Sequence, residues 1–461
     1  MKIDEQVFDL IVIGSGAAGL SLSELASRNG KKTCLIEKEH SAFSAASREH
    51  HGWFHMGSLY SILSKSESSE ALLKNIYYLL VNYSCFENMN LNITKKGELQ
   101  SISSNPCGWF TGDNIDYLVA CHNDEDLIVD YDKKNFLFKM KSLTTRVKWH
   151  FRVRKFVQRH SRFHNFKWKY NNLASAASAI SKANFMSHSR EVIRLIDHTH
   201  LNLNKNTHIS VSGFDQTIRA PQIGMDLFNS FLASGGEFIN NTEAYGVTKL
   251  NDLWQVSTNS GNFVAKNMVM CTGKWNQHIS INGNFQRRGT NILSPLLVVH
   301  PKIHNKNFVR MTPVVGKTIN HIKHSTNGIE YSVIGGGHQL SEDSSIEERK
   351  AMEKSFRSYT EEVFNVDLSN YDNWIYWGTK TEDLNDQDSR NYKFMFKEVS
   401  DRLWNALPGK FSLCFSLAVN GYKEIFGSDP DLNGVENSSH SKCSSITMLH
   451  AELVENRKKS N

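Results

Sequence analysis

Three glycines near the start of the sequence have a spacing that is typical of phosphate binding. Gly14, Gly16 and Gly19 form a GxGxxG motif, and the acidic residue Glu37 follows eighteen residues later. In such a motif the first glycine permits a tight turn, the second lets a diphosphate approach the backbone, and the third lets a helix pack closely on a strand. An acid at this distance accepts hydrogen bonds from a ribose diol. The pattern predicts a dinucleotide site and leaves open whether the dinucleotide is FAD or NAD(P).

The residues around the motif predict the elements that would position it. Residues 8–14 are an apolar, β-branched run typical of a buried parallel strand, residues 20–29 read as a helix ended by Gly30, and residues 32–37 form a second strand. The resulting strand–helix–strand unit would direct the free N–H groups and the positive dipole end of the helix towards a phosphate.

The loop after Glu37 points to a flavin. Residues 41–60 are small, hydroxylated and glycine-rich, and they contain the pattern His51-Gly52-x-x-His55-x-Gly57-x-x-Tyr60. This loop resembles that of the D-amino-acid-oxidase-like superfamily of FAD oxidoreductases, nearest the glycerol-3-phosphate and L-2-hydroxyglutarate dehydrogenase branches. The resemblance implies an FAD cofactor, with the loop wrapped around it and close to its ring.

Three further stretches carry the resemblance along the chain. Residues 221–232 look like the family helix near the adenosine, residues 254–275 read as a hairpin, a buried strand and a glycine turn, and residues 407–412 resemble the element that caps the flavin ring. The motif and the resemblance together predict these cofactor-binding residues: Gly14, Ser15, Gly16, Ala17, Ala18, Gly19, Glu37, Lys38, Ser47, Arg48, His51, Gly52, Val247, Thr272, Gly273, Gly409, Lys410 and Phe411.

The sequence also departs from the glycerol-phosphate branch. Leu59 and Phe415 stand where that branch has arginines, and Lys380 takes the place of an arginine in the family's substrate segment. Arginine suits a phosphate or carboxylate because its guanidinium fork is bidentate, whereas lysine holds an anion as a point charge. We therefore do not expect glycerol 3-phosphate as the substrate, and we expect Lys380 to contact another small anion.

Oxidation of a C–O or C–N bond on a flavin moves a hydride from the substrate carbon to N5 and requires a base that takes the O–H or N–H proton; histidine is poised near neutral pH for this role. The candidates are His55, His51 and His338. The family loop favours His55, and His338 follows three glycines after a predicted strand. His50 adjoins His51, so we expect one of the two to face away.

The fold class that follows is α/β, with a discontinuous Rossmann-like FAD-binding domain and an antiparallel-sheet α+β substrate domain. The resemblance assigns residues 1–100, 191–290 and 396–430 to the first, 101–190 and 291–395 to the second, and 431–461 to a tail. In the substrate domain, strands are expected at 292–299, 308–313 and 329–334, with an Asn-Gly hairpin turn at 327–328 and a helix over 342–364.

The basic residues are unevenly distributed. The net charge is +6, yet residues 133–190 contain fifteen Lys and Arg and no acid. Aromatic side chains interleave with these bases. The simplest interpretation is a solvated surface. The alternatives, in decreasing order, are a segment that docks on an anionic membrane, one that attracts an anionic substrate, and one that binds nucleic acid. The membrane alternative matters because reduced flavin needs an electron acceptor, either a quinone, oxygen or a carrier protein.

Other features narrow the class of protein. The sequence has no apolar run of membrane-spanning length, its start lacks a signal-peptide pattern, and its seven cysteines form no CxxC pair. We expect no metal site and a cytoplasmic protein, with peripheral membrane docking as the alternative. A flavin monooxygenase and a non-catalytic flavin-fold protein that binds a partner through its basic segment remain the competing functions.

Overall fold

The computed structural model describes residues 6–55, 90–93, 98–103, 109–120, 168–169, 208–285, 289–311, 317–326, 328–383 and 394–431. Within them lie two nine-stranded sheets and a small three-stranded sheet. The small sheet consists of β4 (Asn90–Ile93), β5 (Glu98–Ser103) and β7 (Trp168–Lys169).

The first large sheet is built on the apolar run at the start of the sequence. Strand β1 (Val7–Ile13) lies between two parallel neighbours, β2 (Thr33–Ile36) and β12 (Gly261–Met270), with Ile13 beside Ile36 and Met270. Near its carboxyl end β12 also pairs in parallel with β21 (Leu403–Leu407). The remaining strands of this sheet are β9 (Glu237–Ile239), β10 (Ala244–Leu250), β11 (Leu253–Thr258), β13 (Ser280–Ile281) and β20 (Met395–Ser400).

Three helices share a buried core with this sheet. Helix α1 (Ala17–Arg28) packs against α2 (Ala220–Ala233) and α4 (Cys414–Phe426). Leu20, Leu227 and Leu417 are almost completely buried and belong to one apolar cluster, so the helix that follows the GxGxxG motif is held on two sides. This packing fixes the amino end of α1 against the carboxyl end of β1.

The second large sheet has the order β18-β14-β17-β16-β15-β6-β8-β3, with β19 paired along the whole length of β14. Its strands are β3 (Trp53–Phe54), β6 (Phe110–Ala120), β8 (His208–Ile218), β14 (Thr290–His300), β15 (Asn307–Met311), β16 (Ile319–Thr326), β17 (Ile329–Gly336), β18 (Leu340–Ser341) and β19 (Asp372–Glu382). All pairs are antiparallel except β6 with β15.

Helix α3 (Ile346–Phe364) covers part of the second sheet. Its start is a capping box, in which the Ser345 hydroxyl accepts from the Glu348 N–H and the Glu348 carboxylate accepts from the Ser345 N–H. Phe356 and Val363 are buried in one cluster with Leu297 of β14. Burial of this apolar stripe, rather than intrinsic helix propensity, holds the helix on the sheet.

The predicted fold class is confirmed, with two differences in detail. Strands β3 and β8 lie in the second sheet, although their residues were assigned to the FAD-binding domain. No bounds were predicted for β16, the strand that precedes the Asn-Gly turn. The domain boundaries stay a prediction. The basic segment 133–190, apart from 168–169, and the tail beyond residue 431 lie outside the described residues. Among the helices of the described part, none is long and apolar enough to cross a membrane.

Candidate functional site

A cavity of about 610 Å³ lies where the two sheets meet. The carboxyl ends of four parallel strands open into it, through Gly14 after β1, Glu37 after β2, Cys271 after β12 and Leu407 at the end of β21. Strands β14, β17 and β19 of the second sheet line it as well. Ligand sites of open parallel sheets form at this edge, and the volume suits a small-molecule site.

The first and third glycines of the motif shape the turn itself. Gly14 has a φ of +99°, and a Cβ there would lie 2.6 Å from the Cys271 carbonyl oxygen. At Gly19 a Cβ would lie 1.9 Å from the Gly14 carbonyl oxygen, which no side-chain movement could relieve. Glycine is therefore required at both positions for α1 to approach β1 and β12 closely.

The second glycine faces a hydroxyl instead of backbone. A Cβ at Gly16 would meet only the Ser47 Oγ, 3.3 Å away, and the Ala17 N–H donates to the same Oγ at 2.9 Å. Gly16, Ala17 and Ser47 all line the cavity. The serine hydroxyl, which the amide at the amino end of α1 holds in place, thus lies at the edge of the cavity, where the positive end of the helix dipole favours an anion.

The acid of the motif is tied to the glycine turn. The Glu37 Oε2 accepts from the Ser15 N–H at 2.8 Å and from the Ser15 hydroxyl at 2.6 Å, and its Oε1 accepts from the Glu39 N–H at 3.0 Å. Glu37 lines the cavity while Ser15 is completely buried. The carboxylate is thus held in one orientation at the edge of the cavity.

An aromatic side chain that was not predicted as a site residue lies near this acid. The Lys38 Nζ is 3.7 Å from the centroid of the Trp275 ring, and the Lys274 Nζ is 4.5 Å from it. All three residues line the cavity, together with Thr242 and Glu243. The buried end of strand β12 and the turn at Gly273 bring Trp275 here, so the signal was present in the predicted strand–turn sequence.

Histidines and aromatic rings line another part of the cavity. His50 lies 5.0 Å from the Phe411 ring and 4.9 Å from the His51 ring, and Trp53 lies 4.3 Å from the His55 ring. The backbone N–H of His55 donates to the Ser412 hydroxyl at 2.8 Å. This bond joins the loop after Glu37 to the segment 407–412. His50 and His51 both line the cavity, so the expectation that one of them faces away is wrong.

The surroundings keep two of these imidazoles neutral. Removal from water lowers the pKa of His50 to about 3, and the neighbouring His55 and Lys410 add to this effect. The pKa of His51 is also well below its usual range, for the same reason and because His50 is adjacent. A group with so low a pKa is a weak proton acceptor at neutral pH.

Two carboxylates interact with side chains of β19. The Tyr376 hydroxyl of β19 donates to Glu49, and burial, together with this bond, raises the pKa of Tyr376. Lys380, further along β19, lies 3.6 Å from the buried Glu382 carboxylate and lines the cavity with Glu49. The contact between Glu49 and Tyr376 was not predicted, because it joins residues far apart in the sequence.

Some predicted residues lie outside the cavity lining. His338 has its ring 4.9 Å from Phe356 of α3, and Val247 is buried in the core of the first sheet. Ser15, Gly19, Arg48 and Gly52 do not line the cavity either. The predicted residues that do line it are Gly14, Gly16, Ala17, Ala18, Glu37, Lys38, Ser47, His51, His55, Thr272, Gly273, Lys380, Gly409, Lys410 and Phe411.

Comparisons with known proteins show which solved structures share this fold. The model of the NAD(P)-binding Rossmann-like domain family matches residues 12–75, and no curated protein matches the sequence significantly. L-α-glycerophosphate oxidase from Mycoplasma pneumoniae, solved with FAD bound, is similar in structure, with a TM-score of 0.58, 13% identity, and coverage of 94% of this chain and 100% of that one. L-proline dehydrogenase from P. horikoshii gives a TM-score of 0.57, 12% identity, and coverage of 93% and 96%.

Glycine oxidase from Geobacillus kaustophilus is similar to the same degree, with a TM-score of 0.57, 11% identity, and coverage of 92% and 96%. The chain has the fold of these oxidoreductases. The resemblance predicted from the sequence is thereby confirmed at the level of the fold, over nearly the whole chain. Within this fold, the cavity lies at the glycine turn that the sequence predicted. Among the described residues, no cluster of His, Cys, Asp and Glu is arranged to hold a metal ion.

Proposed function

We propose that the protein is an FAD-dependent oxidoreductase that oxidises a C–O or C–N bond of a small, anionic substrate. The observation that carries the proposal is the continuity of one cavity from the glycine turn to the histidines and Lys380. A nucleotide diphosphate site and a set of residues suited to proton and anion contacts thus share a single chamber. The oxidoreductases of similar fold act on amino acids or on glycerophosphate, as their names state.

The residues present fit FAD. Gly16 leaves open the place where a Cβ would face Ser47. The Ser47 hydroxyl, which accepts from the Ala17 N–H, would donate to the diphosphate, and Glu37 would hold the ribose. Phe411 and the neighbouring Gly409 would contact the ring. When bound, the flavin supplies the hydride acceptor.

The chain's own residues would then bind the substrate and move one proton. Lys380 would hold the substrate anion, and its neighbour Glu382 would keep the ammonium directed along β19. His55 is the first candidate for the base, because it lines the cavity and the Ser412 hydroxyl anchors its backbone. His51 is the weaker candidate because of its lowered pKa, and His338, whose ring lies against α3, is not part of this proposal.

The proposal includes partners beyond the substrate. A quinone, oxygen or a carrier protein would reoxidise the flavin. In this proposal the protein is cytoplasmic, and its basic segment 133–190 docks it on an anionic membrane surface.

An anaerobic reduction screen tests the proposed function. The protein is purified, reconstituted with FAD and mixed with hydroxy acids, amino acids including L-proline and glycine, glycerol 3-phosphate, and NAD(P)H. Bleaching by a hydroxy acid or an amine supports the proposal. Bleaching by NAD(P)H alone would favour the monooxygenase, and failure to retain FAD would contradict the proposal altogether. Lys380→Met should raise the KM of the substrate so found far more than it lowers kcat.

A further inference from the structure

We propose that Ser15 is the positioning residue that presents the Glu37 carboxylate to the adenosine ribose of FAD. This inference rests on the proposed function. In the sequence, Ser15 is an unspecified position between two glycines of the motif, and its side chain is not in the cavity lining. Its contribution would therefore pass through Glu37.

The hydrogen bonds of Glu37 show how the carboxylate is occupied. Oε2 accepts from both the N–H and the hydroxyl of Ser15, and Oε1 accepts from the Glu39 N–H. Each carboxylate oxygen has about two acceptor positions. The Ser15 donors thus fill Oε2, and one position on Oε1 is left for a ligand. We infer that Glu37 accepts strongly from one hydroxyl of the ribose diol and not from both.

The serine hydroxyl is well placed to fix this arrangement. Ser15 is completely buried, so water does not readily replace its hydroxyl, and the 2.6 Å bond to a carboxylate is of the strong, charge-assisted kind. Without it, Oε2 would keep only the backbone N–H, and the side chain of Glu37 would regain rotamer freedom. The acceptor position for the ribose would then no longer be fixed.

Binding of FAD and of two analogues tests this role. The analogues lack either the 2′-OH or the 3′-OH of the adenosine ribose, and binding is followed by flavin fluorescence. We expect one of the two to bind the wild-type protein roughly tenfold more weakly than FAD, since a hydrogen bond to a charged group is worth about one factor of ten or more. In Ser15→Ala, FAD binding should weaken roughly tenfold, and the discrimination between FAD and that analogue should fall towards one.

Two variants serve as comparisons. Ser23→Ala makes the same change at a buried serine of α1 whose Oγ has no hydrogen-bond partner among the described residues, and it should leave the discrimination unchanged. Glu37→Gln should reduce the discrimination by itself, and adding Ser15→Ala to it should reduce it no further. If Ser15→Ala does not fold, Ser15→Cys replaces the hydroxyl with a weak donor and is expected to give the same loss.

The outcomes separate this inference from the proposed function. A wild-type protein that binds no FAD removes both. A protein that binds FAD and both analogues equally well, or a Ser15→Ala variant that keeps the wild-type discrimination, overturns the role of Ser15 and leaves the proposed function intact. Loss of discrimination in Ser23→Ala as well would show general loosening of the turn and would also overturn it.

Discussion

Alanine substitutions at two glycines of the motif should affect different properties, the stability of the apo protein at Gly19 and the affinity for FAD at Gly16. At Gly19 an added Cβ would lie 1.9 Å from the Gly14 carbonyl oxygen, and backbone cannot move aside as a side chain can. Overpacking typically costs 1–3 kcal/mol, and we expect Gly19→Ala to lower the free energy of unfolding of the apo protein by at least about 3 kcal/mol.

At Gly16 the added Cβ meets only the Ser47 Oγ, 3.3 Å away. The backbone of Gly16 is extended, with φ −67° and ψ −176°, so alanine adopts it without strain. Gly16 is the N-cap residue of α1, a position where alanine is less favourable than glycine. We therefore expect Gly16→Ala to lower the free energy of unfolding of the apo protein by about 1 kcal/mol or less. Its methyl group would occupy space that the diphosphate needs, so FAD affinity should fall roughly 100-fold, about 2.7 kcal/mol, and Gly16→Val should abolish retention.

Urea unfolding of the apo proteins and fluorescence titration with FAD measure the two effects separately. Each variant is the matched control of the other, because both add one methyl group within four residues of the same turn. Wild-type FAD affinity in Gly16→Ala, or wild-type apo stability in Gly19→Ala, would refute the assignment of the two glycines.

Three other predictions concern distinct parts of the molecule. His55→Ala should slow anaerobic flavin reduction far more than it weakens FAD binding, and an unchanged reduction rate would reject His55 as the base. Burial lowers the pKa of His321 to about 3, so this residue takes up a proton in the unfolded protein at a higher pH than in the folded protein. Its contribution to the free energy of unfolding should therefore decrease by about 1.4 kcal/mol per pH unit as the pH falls from about 6.5 towards 3. Urea midpoints at several pH values should show a shallower decrease in His321→Gln; equal slopes would contradict this. Replacing Arg152, Arg154 and Lys155 with alanine should weaken binding to anionic liposomes, while equal binding would exclude docking through this segment.

His321 illustrates why such an effect is expected. It is completely buried, its Nδ1 lies 2.8 Å from the Lys306 carbonyl oxygen, and its Nε2 lies 2.7 Å from the Ser332 hydroxyl. The carbonyl can only accept, so Nδ1 carries the proton and Nε2 accepts from the serine. This pattern satisfies both nitrogens of the neutral imidazole, and burial opposes the addition of a second proton.

Local patterns predicted the parts of the fold that depend on neighbouring residues. The βαβ unit around Gly14 and Glu37 follows from short apolar runs and a glycine turn, and α3 follows from its capping residues Ser345 and Glu348. The Asn-Gly pair predicted a hairpin, and β16 and β17 are paired there, with Thr326 beside Ile329.

Contacts that depend on strand pairing between distant segments were not predictable in this way. Placement of β8 in the second sheet follows from its pairing with β6, about a hundred residues earlier, which no local pattern encodes. The bond between Tyr376 and Glu49 depends on how β19 lies over the loop after Glu37. The ring of His338 packs against the apolar Phe356 ring of α3. The glycines that precede His338 in the sequence do not indicate that direction.

The central claim is that the glycine turn and the cavity beside it hold FAD. The most direct measurement is the visible absorption spectrum of the purified protein after incubation with FAD and removal of unbound flavin by gel filtration. The account predicts an oxidised flavin spectrum at about one flavin per chain in the wild type, and its loss in Gly16→Val. A colourless wild-type protein, or full flavin occupancy in Gly16→Val, would contradict it.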